Sequence, residues 1–214
     1  MISAEKYSQV FTEQEIKDNA MTAKARREIY KIRGLDFFEN RKFIINKAAG
    51  FSGNILEVGS GRGNTALSLA RDGYSFTSID VDREMLKCTA LNLAGEGLID
   101  KAELFLMDGY RMTFEDNSFK NIIMVEALHH MHDADGLFRE IDRVLCPGGK
   151  LVLSDFNKRG TEIIEGVHRD EGHMHESSAV GEKEVISWFS GRGYALEIWE
   201  DKCHWVVVGG KSSK

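Results

Sequence analysis

Five short apolar runs set the limits on this fold: Ile55–Val58, then residues 76–79, 102–107, 121–125 and 150–154. Four of the five are almost continuously apolar, as strands buried on both faces of a parallel sheet must be. Helical patterns fill the gaps, at residues 65–71, Arg83–Ala94 and 135–145. In the last, Leu137, Ile141, Val144 and Leu145 recur at helical spacing and leave one apolar stripe. Pro147-Gly148-Gly149 then turns the chain into the next run. Strand and helix in alternation give right-handed crossovers and a doubly wound α/β sheet.

Two further runs, 194–200 and 203–208, follow a helix expected at Glu182–Ser190. Only Asp201-Lys202 separates them, too short a link for parallel neighbours, so the sheet should end in an antiparallel hairpin. The expected architecture is a Rossmann-like, mostly parallel seven-stranded sheet. Residues 1–50 read as helical: Thr12 with Glu15 forms a capping box for a helix over 13–33, and a second helix fits 35–49. The reading is one compact domain, with residues 1–50 as a helical lid over a ligand-binding unit at 51–214.

With 34 acidic against 28 basic residues the chain carries a net charge of −6, which argues against nucleic acid as a partner. Cys88, Cys146 and Cys203 are far apart and odd in number, so no disulfide framework is expected. Residues 1–10 lack the apolar run of a signal peptide, and no stretch approaches the roughly 18 apolar residues of a membrane span. A cytoplasmic protein, monomer or homodimer, is the expectation.

The chemistry concentrates in Ile55-Leu56-Glu57-Val58-Gly59-Ser60-Gly61-Arg62-Gly63-Asn64. A buried strand enters a glycine-rich turn and a helix follows, which places a ligand at the carboxyl ends of the strands. Asp80 ends the next strand, 21 residues after Gly59, where an acid can accept from a ribose diol. Asp82 is the better cap for the following helix, which leaves Asp80 for a ligand. The glycines read GxGxG rather than the dinucleotide GxGxxG, whose third glycine would fall on Asn64. Glu57 would repel a pyrophosphate but suits an ammonium. S-adenosylmethionine has an ammonium, a sulfonium and no phosphate, so a nicotinamide-dependent oxidoreductase is the weaker reading.

From Asn54 to Phe156 the chain resembles the class I S-adenosylmethionine-dependent methyltransferases, in particular the small-molecule group that includes ubiquinone and menaquinone methyltransferases. Besides the glycine turn, the matching motifs are Asp80, Asp108-Gly109, Phe114-Glu115-Asp116-Asn117-Ser118-Phe119, Glu126-Ala127-Leu128-His129-His130-Met131 and Leu145-Cys146-Pro147-Gly148-Gly149. Lys120 departs from the group, which often has Asp there. The resemblance implies methyl transfer to a small-molecule acceptor, with S-adenosylhomocysteine as product. It implies that Glu57, Gly59, Ser60, Gly61, Gly63 and Asn64 hold the amino-acid end of the donor and Asp80 the ribose. Val81, Asp108 and Gly109 would lie by the adenine, and Glu126 and Ala127 by the methyl group. A non-catalytic S-adenosylmethionine-binding protein shares these features.

All seven histidines lie at or beyond position 129. A protic acceptor needs a base, and histidine suits that role near neutral pH; His130, His173 and His175 are the candidates. The segment from His168 to Glu176 is read as a loop before the next helix. Its HxH pair with His168 leaves a divalent metal open without favouring it. Lys24, Arg26, Arg27, Lys31 and Arg33 form a basic stripe, read first as a solvated face and second as a lid helix that attracts an anionic substrate or as a docking surface for RNA. Tyr7 and Phe11 are candidates for the cover of the pocket, and Trp188, Trp199 and Trp205 for the core.

Overall fold

A computed structural model of the chain describes residues 5–172 and 180–213. The strands are β1 (Glu5–Lys6), β2 (Ile55–Val58), β3 (Phe76–Asp80), β4 (Ala102–Leu106), β5 (Phe119–Val125), β6 (Leu145–Phe156), β7 (Ala195–Glu200) and β8 (His204–Gly210). The helices are α1 (Glu13–Ile32), α2 (Phe37–Lys47), α3 (Asn64–Arg71), α4 (Arg83–Ala94), α5 (Ala134–Val144), α6 (Lys158–Asp170) and α7 (Glu182–Ser190). They surround one sheet of order β1-β4-β3-β2-β5-β6-β8-β7. β4, β3, β2, β5 and β6 are parallel, and the β7–β8 hairpin closes the sheet antiparallel to β6. The doubly wound fold, the capping box at Thr12 and the Asp82 cap of α4 are as expected.

The apolar runs are continuous because each strand serves two cores. Leu56, Ile122, Met124, Leu151 and Leu153 pack on one face against Leu137, Phe138 and Ile141 of α5 and Val185 and Phe189 of α7. Their neighbours Ile55, Ile123, Val125 and Val152 pack on the other face against Ile44 and Ile45 of α2 and Leu67 of α3. Period-two alternation with both faces covered makes these stretches read as near-continuous apolar runs.

Four expectations need correction. Among the described residues the sheet has eight strands, because Glu5 and Lys6 pair antiparallel with Leu106 and Phe105 at the β4 edge. So residues 1–50 are not wholly helical. This exposed two-residue strand is held by ladder bonds and a Lys6–Glu103 ion pair of 2.6 Å, neither visible as hydrophobic pattern. The hairpin link has three residues, with Asp201 Oδ1 accepting from the Cys203 and His204 amides at 2.7 Å each. Pro147-Gly148-Gly149 sits within β6, where the register jumps from Phe119 opposite Leu145 to Asn121 opposite Lys150. His168 stands on the last turn of α6, a helix begun by the Asn157 cap, and not in a loop.

Candidate functional site

The chain leaves β2 outward to β3 and β4, then returns on the other side as β5. β2 and β5 therefore flank the point where the winding reverses, and a crevice for a ligand opens above their carboxyl ends. A cavity of about 260 Å³ lies there. The turn after β2 contributes Gly59, Ser60, Gly61 and Arg62; the end of β5 contributes Val125 and Glu126. α1 and α2 supply another wall, including Arg26, Arg27, Tyr30 and Arg41, and His129, His130 and His168 complete the lining.

The glycine turn is held by β3. The amides of Gly59 and Ser60 donate to the Ile79 carbonyl at 2.9 and 3.1 Å, and that of Gly61 to Asp80 Oδ2 at 2.8 Å. Two of the glycines are needed for different reasons. Gly63 has φ +77°, and a Cβ there would stand 2.8 Å from the Thr89 Cα of α4. Gly61 has φ +51° and open space where its Cβ would be. One glycine lets two helices meet and the other bares backbone to the crevice. Asp82, as expected, caps α4, but Asp80 also takes the Asp82 amide at 2.9 Å, so it braces the turn as well as facing the sheet edge.

Glu57 is buried beneath this turn, accepting a hydrogen bond from the Ser78 hydroxyl, while its other oxygen, Oε1, has no partner. Burial pushes its carboxyl up to about 8; Asp80 adds to the rise, and Ser78 and Arg41 oppose it. An orphaned buried oxygen under a cradle of bare backbone fits the ammonium end of an amino acid. Asp80, Val81 and Asp108-Gly109 follow along the ends of β3 and β4, outside the cavity lining. The Asp108 carboxylate accepts from the Tyr110 amide at 2.9 Å.

Glu126 is the strained residue of the site, non-glycine at φ +56°. Burial would raise its carboxyl, but Arg41 and His204 outweigh that and hold it down to about 2. Arg41 of α2 pairs with it and reaches Thr65 Oγ1 at 3.2 Å; His204 Nε2 meets it at 2.7 Å. Burial works against charging His204, yet Asp201 and Glu126 raise its pKa on balance. Asn40 donates to Asp201, so the network runs from α2 through the strand ends to the hairpin. None of Arg41, His204 or Asp201 carries a local spacing signal. Ala127 is buried, its Cβ 2.9 Å from where a Gly59 Cβ would stand.

Asp155 was also missed, although it is an acid at the carboxyl end of β6, the signal that singled out Asp80. It accepts from His129 Nδ1 at 2.7 Å and from the His129 amide at 2.9 Å. The basic stripe divides. Arg26 and Arg27 line the cavity, while Arg26 pairs with Glu171 at 2.9 Å, Arg33 with Asp170 at 2.6 Å and Lys31 with Asp36 at 2.9 Å. Two of these pairs tie α1 to the end of α6. Tyr7 and Phe11 do not cover the pocket; they pack by Leu86, Ala90 and Leu104. Trp205 is buried, whereas Trp199 is partly exposed with the Lys47 ammonium 3.7 Å from its ring centre. His173 and His175 lie outside the described residues. Among the described residues no group of three or more His, Cys, Asp or Glu side chains is placed to hold a metal, and no helix is long and apolar enough to cross a membrane.

Residues 56–153 match the family model described as a methyltransferase domain. Over 119 residues the chain is 38% identical to the methyltransferase GfsG of Streptomyces halstedii, covering 52% of this chain and 43% of that protein. It is 28% identical over 117 residues to the ubiquinone/menaquinone biosynthesis C-methyltransferase UbiE of Shewanella putrefaciens, covering 53% of this chain and 47% of that one. The chain thus spans less than half the length of these two curated relatives. A solved SAM-dependent methyltransferase from Aquifex aeolicus has the same fold, with a TM-score of 0.63 at 18% identity over 94% of this chain and 99% of that chain.

Proposed function

We propose that this chain is a class I S-adenosylmethionine-dependent methyltransferase that moves the methyl group of S-adenosylmethionine to a small-molecule acceptor by in-line displacement, a reading supported by the methyltransferase-domain match over residues 56–153 and by the methyltransferases it is similar to. The unpartnered Glu57 oxygen beneath the glycine cradle carries this reading, since it suits a cation such as the ammonium of an amino acid. The bound donor supplies an electrophilic methyl group on a sulfonium. Glu57 and the backbone of Gly59, Ser60, Gly61, Gly63 and Asn64 take its amino-acid end. Asp80 takes the ribose, Val81 with Asp108 and Gly109 the adenine, and Glu126 with Ala127 forms the wall beside the methyl group. The chain's task is to align nucleophile, methyl and sulfur and to keep water out. α1 and α2 serve as the cover, with Arg41 fixing α2 over Glu126. His130 stands on the cavity wall within reach of an acceptor.

Calorimetry with S-adenosylhomocysteine and, separately, NADH tests this. Binding of the first and not the second is expected, with most of the affinity lost in Asp80→Ala; binding of NADH alone would refute the assignment. S-adenosylhomocysteine release in the presence of acceptors then separates an enzyme from a non-catalytic binder.

A further inference from the structure

We infer that the methyl acceptor carries an oxyanion, a carboxylate or a phosphate, which seats between Tyr30 of α1 and Arg62 of the glycine turn. The inference rests on the methyl-transfer reading above and names its acceptor class. Tyr30 lines the cavity and is only 2% exposed. Its hydroxyl oxygen accepts from Arg26 Nη2 at 2.9 Å. The same hydroxyl has one proton to donate, and among the described residues nothing takes it. A buried donor asks for an acceptor, and here the open side is the cavity.

The charge around this hydroxyl points to the same kind of ligand. Among the described residues four arginines line the cavity, Arg26, Arg27, Arg41 and Arg62, against one acid, Glu126. That interior is basic in a chain whose net charge is −6. Arg41 is taken up by Glu126, and Arg26 by Glu171 at 2.9 Å. Arg27 and Arg62 make no ion pair with any described residue. Burial holds the Tyr30 hydroxyl above its ordinary pKa, against the pull of the Arg26 and Arg62 charges, so it stays a donor. Arg62 also acts on Cys88 of α4, so its charge is felt along the wall that α1 and α4 share.

Two anions could meet these groups: the carboxylate of S-adenosylmethionine and a group on the acceptor. By the reading above, the amino-acid end of the donor lies at the glycine turn. The first turn of α3 begins there at Asn64 and Thr65, both on the cavity wall, and no side chain caps it. Its backbone N–H groups suit the donor's carboxylate. Tyr30 and Arg26 stand instead on α1, the cover helix, and are left for the acceptor. A guanidinium matches the oxygens of a carboxylate or phosphate, and a hydroxyl that already accepts from a guanidinium is the stronger donor. A neutral acceptor would leave the Tyr30 proton and the Arg62 charge desolvated without a partner, so these groups select against it.

The test uses the full chain saturated with S-adenosylhomocysteine, which fills the donor site. It is titrated by calorimetry with benzoate, with phenyl phosphate and with benzamide, the uncharged counterpart of benzoate. At least one of the two anions should bind about tenfold or more tighter than benzamide, and the preferred anion tells a carboxylate from a phosphate. Tyr30→Phe keeps the ring that packs on Phe37 and removes only the hydroxyl. It should weaken the bound anion about 10- to 100-fold and leave the affinity for S-adenosylhomocysteine as in wild type, which also shows that the variant is folded. Arg62→Gln changes an exposed side chain; it should weaken the anion and not benzamide. Anions that bind no tighter than benzamide, or that both variants bind as wild type does, would overturn the inference and leave the methyltransferase reading standing. A comparable fall in S-adenosylhomocysteine affinity in Tyr30→Phe would put the donor's own carboxylate on this hydroxyl and overturn it as well. A wild-type chain that does not bind S-adenosylhomocysteine removes both readings.

Discussion

Replacing Glu57 by Gln tests whether a protonated carboxyl lies under the cradle. The folded chain holds this group up to about 8, against an ordinary 4.5, chiefly through burial. Because the folded value is the higher, the stabilisation is complete below pH 4.5 and is lost as pH rises through about 8. At about 1.4 kcal/mol per pH unit, the loss approaches about 5 kcal/mol above pH 8 and about 3 kcal/mol at pH 7. Glu57→Gln keeps the shape and cannot ionise. Urea unfolding at pH 5, 6, 7 and 8 should therefore give similar stabilities at pH 5, with the variant gaining steadily on wild type as pH rises. Other titrating groups cancel in the difference. Parallel profiles for the two proteins would refute the buried neutral carboxyl. A second consequence concerns the ligand. An ammonium placed on Glu57 favours its ionised form, so S-adenosylmethionine binding at pH 7 should release close to one proton. Calorimetric heats in buffers of different ionisation enthalpy measure this, and Glu57→Gln should abolish it.

Arg41→Met would leave Glu126 buried without its cation, and a loss of about 3–5 kcal/mol is expected in urea unfolding. Glu126 is held down to about 2, so wild type should lose stability as pH falls from 4.5 towards 2, a slope that Arg41→Met should flatten. Gly63→Ala forces a methyl group against the α4 backbone at a left-handed position, with an expected cost of about 2–4 kcal/mol in thermal unfolding. Gly61→Ala meets open space; it should cost only about 1–2 kcal/mol while weakening S-adenosylhomocysteine binding more than its stability effect.

What the sequence made legible was local. β2, α3, β3, α4 and α5 declare themselves through apolar period and caps, and Glu57, the glycines and Asp80 lie at strand ends that the same period locates. α6 escaped although Asn157 caps it and Ile163, Ile164 and Val167 recur at helical spacing. Gly160 and Gly166 dilute that pattern. Gly160 is there because a Cβ would stand 2.2 Å from the Cys203 carbonyl oxygen, a contact made by the hairpin more than 40 residues away. β1 was invisible for the opposite reason: its two charged residues are exposed, and pairing alone makes them a strand.

The same distinction separates two parts of the site. The cradle is built from neighbours in sequence, but Glu126 is set by residues from α2 and the C-terminal hairpin. A left-handed backbone at a residue with a side chain costs on the order of 1–3 kcal/mol and persists only where its surroundings over-determine it. Here Arg41 and His204 grip the carboxylate, while Ala127 closes against Gly59 immediately beyond. The turn that presents His129 to Asp155 begins from that fixed point. The strain at Glu126 thus bends the chain sharply off β5, so that the wall beside the cradle and the imidazole facing the cavity are placed by one buried charge network before any ligand arrives.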